Sequence, residues 1–293
     1  MNPKTNPAVG NGGADENASG DGISTVILSQ THDIARGPSG DCCIYCGLVA
    51  ENLPQDHGCK PIDAEPDATE GGVTFDTGHA VEYLDLVLGD CSSGRIGVCA
   101  IGNGPTRHAH FQWIRDAVKQ AEKWDRQKPV GVYFRVTMLP PTGPKGRGRG
   151  GAQDAHMLSF LWADLDYGTV GHKKPADGQP LPATEDDARN LTAGMPEPTL
   201  TVHSGGGLYP IWLLDKPILI ADDNRADIEK LSERWQNTIS RRAEKLQLHY
   251  GNVGDLSRVL RLPGSINRKA DIERPCRVIG LFEFQRGLPR SCC

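Results

Sequence analysis

The sequence feature that most constrains the fold is an apolar run ending in two closely spaced carboxylates, MLSFLWADLDYG at residues 157–168. Apolar side chains on both sides of an extended chain predict a strand buried on both faces. Alternate residues of a strand share a face, so Asp164 and Asp166 would point the same way, about 6.5–7 Å apart. Two such carboxylates are costly unless a cation lies between them, and a divalent metal suits oxygen ligands. The alternative is a strand that simply runs out into a polar turn at Tyr167.

Composition limits the class of protein. The 293 residues predict one large or two small domains, and the apolar fraction of 38% is enough for a core. A net charge of −5 does not indicate a nucleic-acid binder, yet Lys and Arg dominate from Arg225 onward, which leaves room for a basic phosphate-binding face. We find neither a signal peptide nor an apolar run of about 18 residues, so we expect no membrane partner and a cytoplasmic location.

The first 77 residues form the predicted leader, mostly disordered because Gly, Asn, Asp and Ser outnumber large apolar groups there. Thiolates and imidazole suit a small tetrahedral Zn²⁺ site, although the HxC half has tight spacing. The alternative is reduced cysteines in a loop. The candidate zinc ligands are Cys43, Cys46, His57 and Cys59.

Residues 78–290 form the predicted folded domain, of the α/β (α+β) class. Hydrophobic periodicity predicts helices over 80–88 and 110–125, and β-branched and aromatic content predicts strands over 95–101 and 130–138. After the strand that bears the two carboxylates, residues 199–214 read as a strand, a glycine turn and a second strand. A long helix beginning at Asp222 or Asp223 and ending at Gly251, then a strand over 276–284, complete the domain.

A basic loop precedes the strand that bears the two carboxylates. Residues 140–151, PPTGPKGRGRGG, carry Lys145, Arg147 and Arg149 and no acid. Such a loop either contacts a polyphosphate or nucleic-acid backbone, or is a solvated linker. Arg135, on the preceding strand, is expected to line a cleft or to pair with an acid.

Two later segments add to the paired carboxylates. In the glycine turn that begins at Ser204, backbone N–H groups free of side chains can approach phosphate oxygens, and the serine adds a hydroxyl. Asp255 supplies a third carboxylate, followed by Arg258 and Arg261. Metals that bridge acids to phosphates, with arginines neutralising the remaining charge, would need this set of groups.

The segments LWADLDYG, VHSGGGLYPIWLL and GDLSRVLRLPGSINRK resemble, in this order, the three-motif series of the archaeo-eukaryotic primase superfamily. The resemblance covers residues 78–285 and is closest to the bifunctional primase–polymerase domains of phage and plasmid replication modules. It implies an RRM-like, mostly antiparallel sheet with a packed N-terminal αβ segment. It also implies that Asp164, Asp166 and Asp255 bind two divalent ions, Mg²⁺ or Mn²⁺. The basic run after the third acid matches at Arg258, Arg261, Pro263, Gly264, Asn267 and Lys269.

The second motif departs from the family pattern. Tyr209 stands where the family has a histidine that holds the incoming triphosphate, and tyrosine carries no positive charge at neutral pH. His203 lies before the turn, where strand geometry would place it elsewhere. The candidate nucleotide-binding residues are Ser204, Gly206, Gly207, Tyr209, Arg258, Arg261 and Lys269.

The resemblance implies DNA-templated nucleotidyl transfer, in which a 3′-hydroxyl attacks the α-phosphate of a nucleotide between two metal ions. The product would be a new or extended primer in the replication of a mobile element. The implied partners are a single-stranded DNA template, ribo- or deoxyribonucleoside triphosphates and a replicative helicase. The candidate DNA-binding residues are Lys145, Arg147 and Arg149.

Two other functions stay open. A rolling-circle replication nuclease uses a His–hydrophobic–His pair on a strand, which His108 and His110 match in spacing, but here the pair is predicted to open a helix. The second alternative is a non-catalytic primase-like module that binds DNA within a replication complex. Covalent attachment of DNA to a tyrosine would indicate the first, and metal-dependent nucleotide incorporation would exclude the second.

Overall fold

A computed structural model describes residues 73–281, except 103, 147 and 252, together with the backbone of three short strands nearer the N-terminus. The chain divides into two compact units, residues 1–67 and 68–293. In the first unit, β1 (Thr25–Ser29), β2 (His32–Gly37) and β3 (Gly40–Cys43) form an antiparallel sheet in that order. The predicted zinc ligands Cys46, His57 and Cys59 lie outside the described residues, as does the side chain of Cys43.

The second unit begins with two helices and a four-stranded antiparallel sheet, which is called the first sheet below. Its elements are α1 (Thr77–Leu88), β4 (Ile96–Ile101), β5 (Arg107–Phe111), α2 (Ile114–Asp125) and β6 (Gly131–Arg135). A late strand, β11 (Val259–Arg261), joins them in the order β11-β6-β4-β5. The helix predicted from residue 110 begins only at Ile114. The prediction that the His108–His110 pair opens a helix is therefore wrong, because both residues lie on β5, paired with β4.

A second antiparallel sheet of the same unit, called the second sheet below, carries the paired carboxylates. Its strands are β7 (Met157–Trp162), β8 (Leu165–Asp166), β9 (Leu200–His203), β10 (Gly207–Leu219) and β14 (Arg277–Leu281), in the order β14-β9-β10-β7, with β8 also paired to β10. The long helix is α4 (Arg225–Leu246), and a short helix, α3 (Glu185–Asn190), lies in the excursion, the irregular segment between β8 and β9. Two short strands, β12 (Ile266–Asn267) and β13 (Arg274–Pro275), pair with each other. The predicted α/β class with mostly antiparallel sheets is confirmed.

The core joins the two sheets through a chain of aromatic rings. Tyr83 of α1 meets Phe134 of β6 edge-on at 5.4 Å between ring centroids, and Phe134 lies 6.3 Å from Phe160 of β7. Phe160 in turn meets Trp162 at 6.1 Å. Such contacts stabilise a core beyond the area they bury. Trp162 is fully buried, as predicted, and its indole N–H donates to the Val253 carbonyl at 3.1 Å.

A buried ion pair ties the end of α2 to the segment after β11. Arg268 donates to both carboxylate oxygens of Asp125, at 3.1 and 3.0 Å, and the two side chains are only 12% and 3% exposed. The same carboxylate accepts the backbone N–H of Ile266 at 3.2 Å. This two-pronged geometry fixes the position of the C-terminal segment against the first sheet.

Candidate active site

The paired carboxylates lie at a break in the sheet. β7 is buried throughout, ends at Trp162, and is followed by Asp164 in the gap before β8. The side chain of Asp164 is 17% exposed and that of Asp166 is 46% exposed. Gly207, the first residue of β10, pairs directly with Asp166. The glycine turn and Asp166 therefore lie side by side.

Burial and the neighbouring Asp166 together raise the pKa of Asp164 to about 6. Two groups oppose the rise: Arg258, whose Nη2 lies 3.0 Å from Asp164 Oδ2, and Lys269, whose charge also lowers this pKa. Burial is the larger cause, because the ionised Asp164 carboxylate is poorly solvated, and the second carboxylate beside it disfavours the ionised form further, despite the bonded arginine. The site therefore favours a further cation.

His172 reinforces this acidic pair and was not predicted from sequence. Its Nδ1 lies 3.4 Å from Asp166 Oδ2, and its Nε2 lies 2.8 Å from the Gly206 carbonyl oxygen. Both ring nitrogens thus face acceptors, which only the protonated imidazolium satisfies. The hydrogen bond to Asp166 raises the pKa of His172 above its ordinary value, against the effect of burial. No motif spacing identifies a histidine in the irregular excursion, so sequence offered no signal for it.

The glycine turn is closed by its own serine. Ser204 donates its backbone N–H and its hydroxyl to the Gly207 carbonyl, at 2.8 and 3.0 Å. The hydroxyl expected to reach a phosphate is thus engaged within the turn. Gly205 has φ +80°, and a Cβ there would lie 2.9 Å from the Asn267 Cβ, so only glycine fits without strain.

Three residues from the C-terminal segment pack against this turn. Asn267 donates to the Ser204 carbonyl at 3.0 Å and accepts the backbone N–H of Lys269 at 3.0 Å. Arg274, which sequence analysis also missed, reaches the same place: its Nη1 would lie 3.6 Å from a Cβ on Gly206. Cations from two segments therefore surround a backbone turn that lies next to two carboxylates.

The two predicted arginines separate. Arg258 pairs with Asp164, as described above. Arg261 points to the first sheet, where it donates to the Val130 carbonyl at 3.2 Å and to the Tyr133 hydroxyl at 2.9 Å, with its guanidinium 4.7 Å from the centre of the Tyr133 ring. Arg261 is only 4% exposed, so its side chain packs against the first sheet.

The structure does not bring Asp255 into the carboxylate pair. Its Oδ1 accepts the Ser257 backbone N–H at 2.7 Å and the Ser257 hydroxyl, which closes a tight local turn. Among residues 73–281, less the three gaps, no three His, Cys, Asp or Glu side chains group closely enough to hold a metal ion. The segment that contains Asp255 contacts the Asp164–Asp166 pair through Arg258 instead.

Neither Tyr209 nor His203 supplies the positive charge that the histidine of the family pattern would bring to the second motif. Tyr209 is 7% exposed, and burial, with the nearby charge of Asp164, raises its pKa well above 10. His203 accepts the Gly205 backbone N–H at 3.1 Å through Nδ1, and its Nε2 lies 2.7 Å from the Tyr167 hydroxyl. Burial lowers the pKa of His203, so it stays neutral.

The basic loop lies over the first sheet and is anchored by Arg135. This arginine is 1% exposed and donates to the carbonyls of Arg149, Gly150 and Gly151 at 3.1, 3.1 and 2.8 Å. It therefore fixes the loop, where sequence had suggested a cleft lining or an ion pair. Arg147 lies outside the described residues, whereas Lys145 and Arg149 are both exposed.

The comparisons with known proteins concern the fold. No family model and no curated protein matches the chain. Among solved structures, the chain is similar to the AEP domain of the primase-polymerase of cyanophage S-2L, at 13% identity and a TM-score of 0.47, over 71% of this chain and 92% of that one. It is also similar to the catalytic domain of primase Repb' in complex with initiator DNA, at 14% identity and a TM-score of 0.39, over 69% and 85% of the two chains. Both are described as primase domains, and at these identities the likeness concerns the fold alone.

No helix of the described residues is both long enough and apolar enough to cross a membrane.

Proposed function

We propose that this chain is a metal-dependent nucleotidyltransferase of the primase type, which joins nucleotides on a single-stranded DNA template during replication. The observation that carries the proposal is the Asp164–Asp166 pair, two neighbouring carboxylates that lie beside a glycine turn contacted by His172 and Arg274. Two ionised carboxylates carry two negative charges, whereas Arg258, Lys269, His172 and Arg274 can bring four positive charges to the same place. Cations beyond that number fit a second, anionic ligand beside the metal, and a nucleoside triphosphate has that charge.

The donor set fits Mg²⁺ or Mn²⁺. These ions bind through one or two carboxylates and complete their coordination with water and substrate phosphates. Asp164 and Asp166 supply two oxygen ligands without a dedicated protein cage. When bound, the ion would polarise a phosphoryl oxygen and lower the pKa of an attacking hydroxyl. The second ion expected from the resemblance would need Asp255 to leave its turn with Ser257.

The protein's own residues would orient the nucleotide. His172, held in its protonated form by Asp166, and Lys269 place positive charge beside the turn. The backbone N–H of Gly206, which carries no side chain, would donate to a phosphate oxygen. Arg258 would exchange its bond to Asp164 for one to a phosphate once a metal ion neutralises that carboxylate.

Incorporation of labelled nucleotides on a single-stranded DNA template, with Mg²⁺ or Mn²⁺ and with EDTA as the blank, tests the proposal. We expect Asp164→Ala and Asp166→Ala to abolish incorporation, since each removes half of the oxygen ligands, while Asp222→Ala, at an exposed position on the loop before α4, keeps it. Metal-dependent synthesis that survives in both carboxylate variants would remove this site from the chemistry.

One observation favours a second candidate, the rolling-circle nuclease. His108 and His110 lie on a strand and share one of its faces, as that class requires. The described residues offer no third metal ligand beside the pair. A tyrosine–DNA adduct formed with a labelled single strand would establish the nuclease, and its absence during active synthesis would leave the primase.

A further inference from the structure

Few backbone contacts hold the strand that bears Asp166 beside the glycine turn. That strand, β8, is only two residues long, and its register with β10 ends at the pair formed by Asp166 and Gly207. Beyond this last pair, neither Tyr167 nor residues 204–206 belong to a strand. The distance between Asp166 and the turn therefore depends on side-chain contacts as well as on the ladder.

A chain of hydrogen bonds joins Tyr167 to the turn. His203 accepts the Gly205 backbone N–H through Nδ1 at 3.1 Å, so the proton of the neutral ring is on Nε2. This Nε2 lies 2.7 Å from the Tyr167 hydroxyl oxygen, to which it donates. The Tyr167 hydroxyl in turn donates to Glu185 Oε2 at 3.4 Å. The bond between Tyr167 and His203, here called the Tyr–His link, thus connects the residue after Asp166 with the turn.

The Tyr–His link and His172 lie on opposite faces of the second sheet. His203 is directly opposite Leu208, and Leu208 is opposite Leu165, so these three residues share one face. Asp166 follows Leu165 and points to the other face, where its carboxylate meets His172. Asp166 and the turn are therefore connected by side chains on both faces.

The short helix α3 fixes the far end of this chain of hydrogen bonds. Arg189 donates to Glu185 Oε1 through Nε and Nη2, at 3.1 and 2.6 Å, so the carboxylate that accepts from Tyr167 is itself held. The rings of Tyr167 and His203 also meet edge-on, with 6.1 Å between their centroids. Both rings are therefore oriented by contacts at each end.

We propose that Tyr167 and His203 are positioning residues, which set the distance from Asp166, as a metal ligand, to the backbone N–H groups that bind the phosphates. This inference rests on the proposed function. A Mg²⁺ or Mn²⁺ ion shared between a carboxylate and substrate phosphates requires both to lie within coordination distance of it. Loss of the Tyr–His link leaves the carboxylates and the turn in place but changes their separation, and a small misplacement weakens a ligand that spans both.

The test is binding of fluorophore-labelled ATP and dATP to the full chain, followed by anisotropy with and without Mn²⁺. Tyr167→Phe removes only the hydroxyl, and we expect the Kd of the nucleotide in Mn²⁺ to rise about threefold to tenfold, as for one lost hydrogen bond. His203→Asn keeps an acceptor for the Gly205 N–H but lacks the second ring nitrogen, so its effect should match. In the His203→Asn background, Tyr167→Phe should have no further effect, because its partner is already lost.

A second measurement separates positioning from folding. The Kd of Mn²⁺ alone, from the electron paramagnetic resonance signal of the free ion, should be unchanged in Tyr167→Phe, since both carboxylates remain. A folding defect would instead lower the amplitude of both titrations without shifting the Kd of the nucleotide. Tyr83→Phe is the matched control, because the buried Tyr83 hydroxyl has no hydrogen-bond partner among the residues that the structure describes.

Wild-type nucleotide affinity in Tyr167→Phe would overturn the inference, as would additive losses in the double variant or a loss of amplitude alone. A wild-type chain that binds neither nucleotide in Mn²⁺ would contradict the proposed function, and the inference with it. The two failures are distinguishable, because only the first leaves Mn²⁺-dependent nucleotide binding by the wild type intact.

Discussion

The ionised carboxylate of Asp164 should lower the free energy of unfolding at neutral pH. Replacing Asp164 with asparagine should therefore stabilise the fold while removing activity. Its pKa rises from 3.8 to about 6 on folding, through burial and the charge of Asp166. A raised acid pKa favours the protonated fold, so this stability is fully present below pH 3.8 and is lost as pH rises through about 6. At about 1.4 kcal/mol per pKa unit, the loss is about 3 kcal/mol above pH 7.

Asparagine resembles the protonated acid and avoids this loss. It keeps an oxygen that can accept from Arg258, and the weaker bond to that arginine is already contained in the pKa of about 6, which Arg258 lowers. The net gain for Asp164→Asn is therefore about 3 kcal/mol at pH 7.5, or about 6–12 °C in Tm for a domain of this size. At pH 4.5 the gain should be small or absent.

Thermal unfolding followed by circular dichroism in EDTA, from pH 4.5 to 7.5, measures this difference. Asp222→Asn serves as the control, since this acid is exposed and its variant should follow the wild type at every pH. An Asp164→Asn protein that is less stable than wild type at pH 7.5, or whose advantage does not grow with pH, would refute the electrostatic account of the pair.

Three other substitutions test the supports of the site. His172→Gln should raise KM for the nucleotide more than it lowers kcat, because the imidazolium beside Asp166 is lost; equal effects on both would contradict this role, and a Michaelis–Menten series decides. Gly205→Ala should cost about 1–3 kcal/mol in urea unfolding, since φ is +80° and the added Cβ meets the Asn267 Cβ; a neutral result would show that the turn relaxes. Asp125→Ala should cost about 2–4 kcal/mol, because Arg268 then keeps only Glu273 and the Ile266 N–H loses its acceptor, and Asp125→Asn should cost less.

The local elements of the site could be predicted from sequence. Apolar side chains on both sides of the chain predicted the buried strand before Asp164, and glycines between two β-rich runs predicted the turn at Gly205, because these patterns depend on neighbouring residues alone. The placement of Asp166 beside the turn was established only by the structure, in which β10 pairs with β8. The helix start was misplaced by four residues because His110 and Phe111 satisfy a helical stripe and a strand equally well.

Only the tertiary structure decided which distant groups meet. The chain after Asp255 leaves the second sheet and adds β11 to the first, so Arg258 reaches Asp164 while Arg261 stacks on Tyr133. His172 enters the site from an excursion without periodicity. A sequence pattern reports the environment of one segment, whereas the charge around a carboxylate depends on segments that only chain folding brings within a few ångströms.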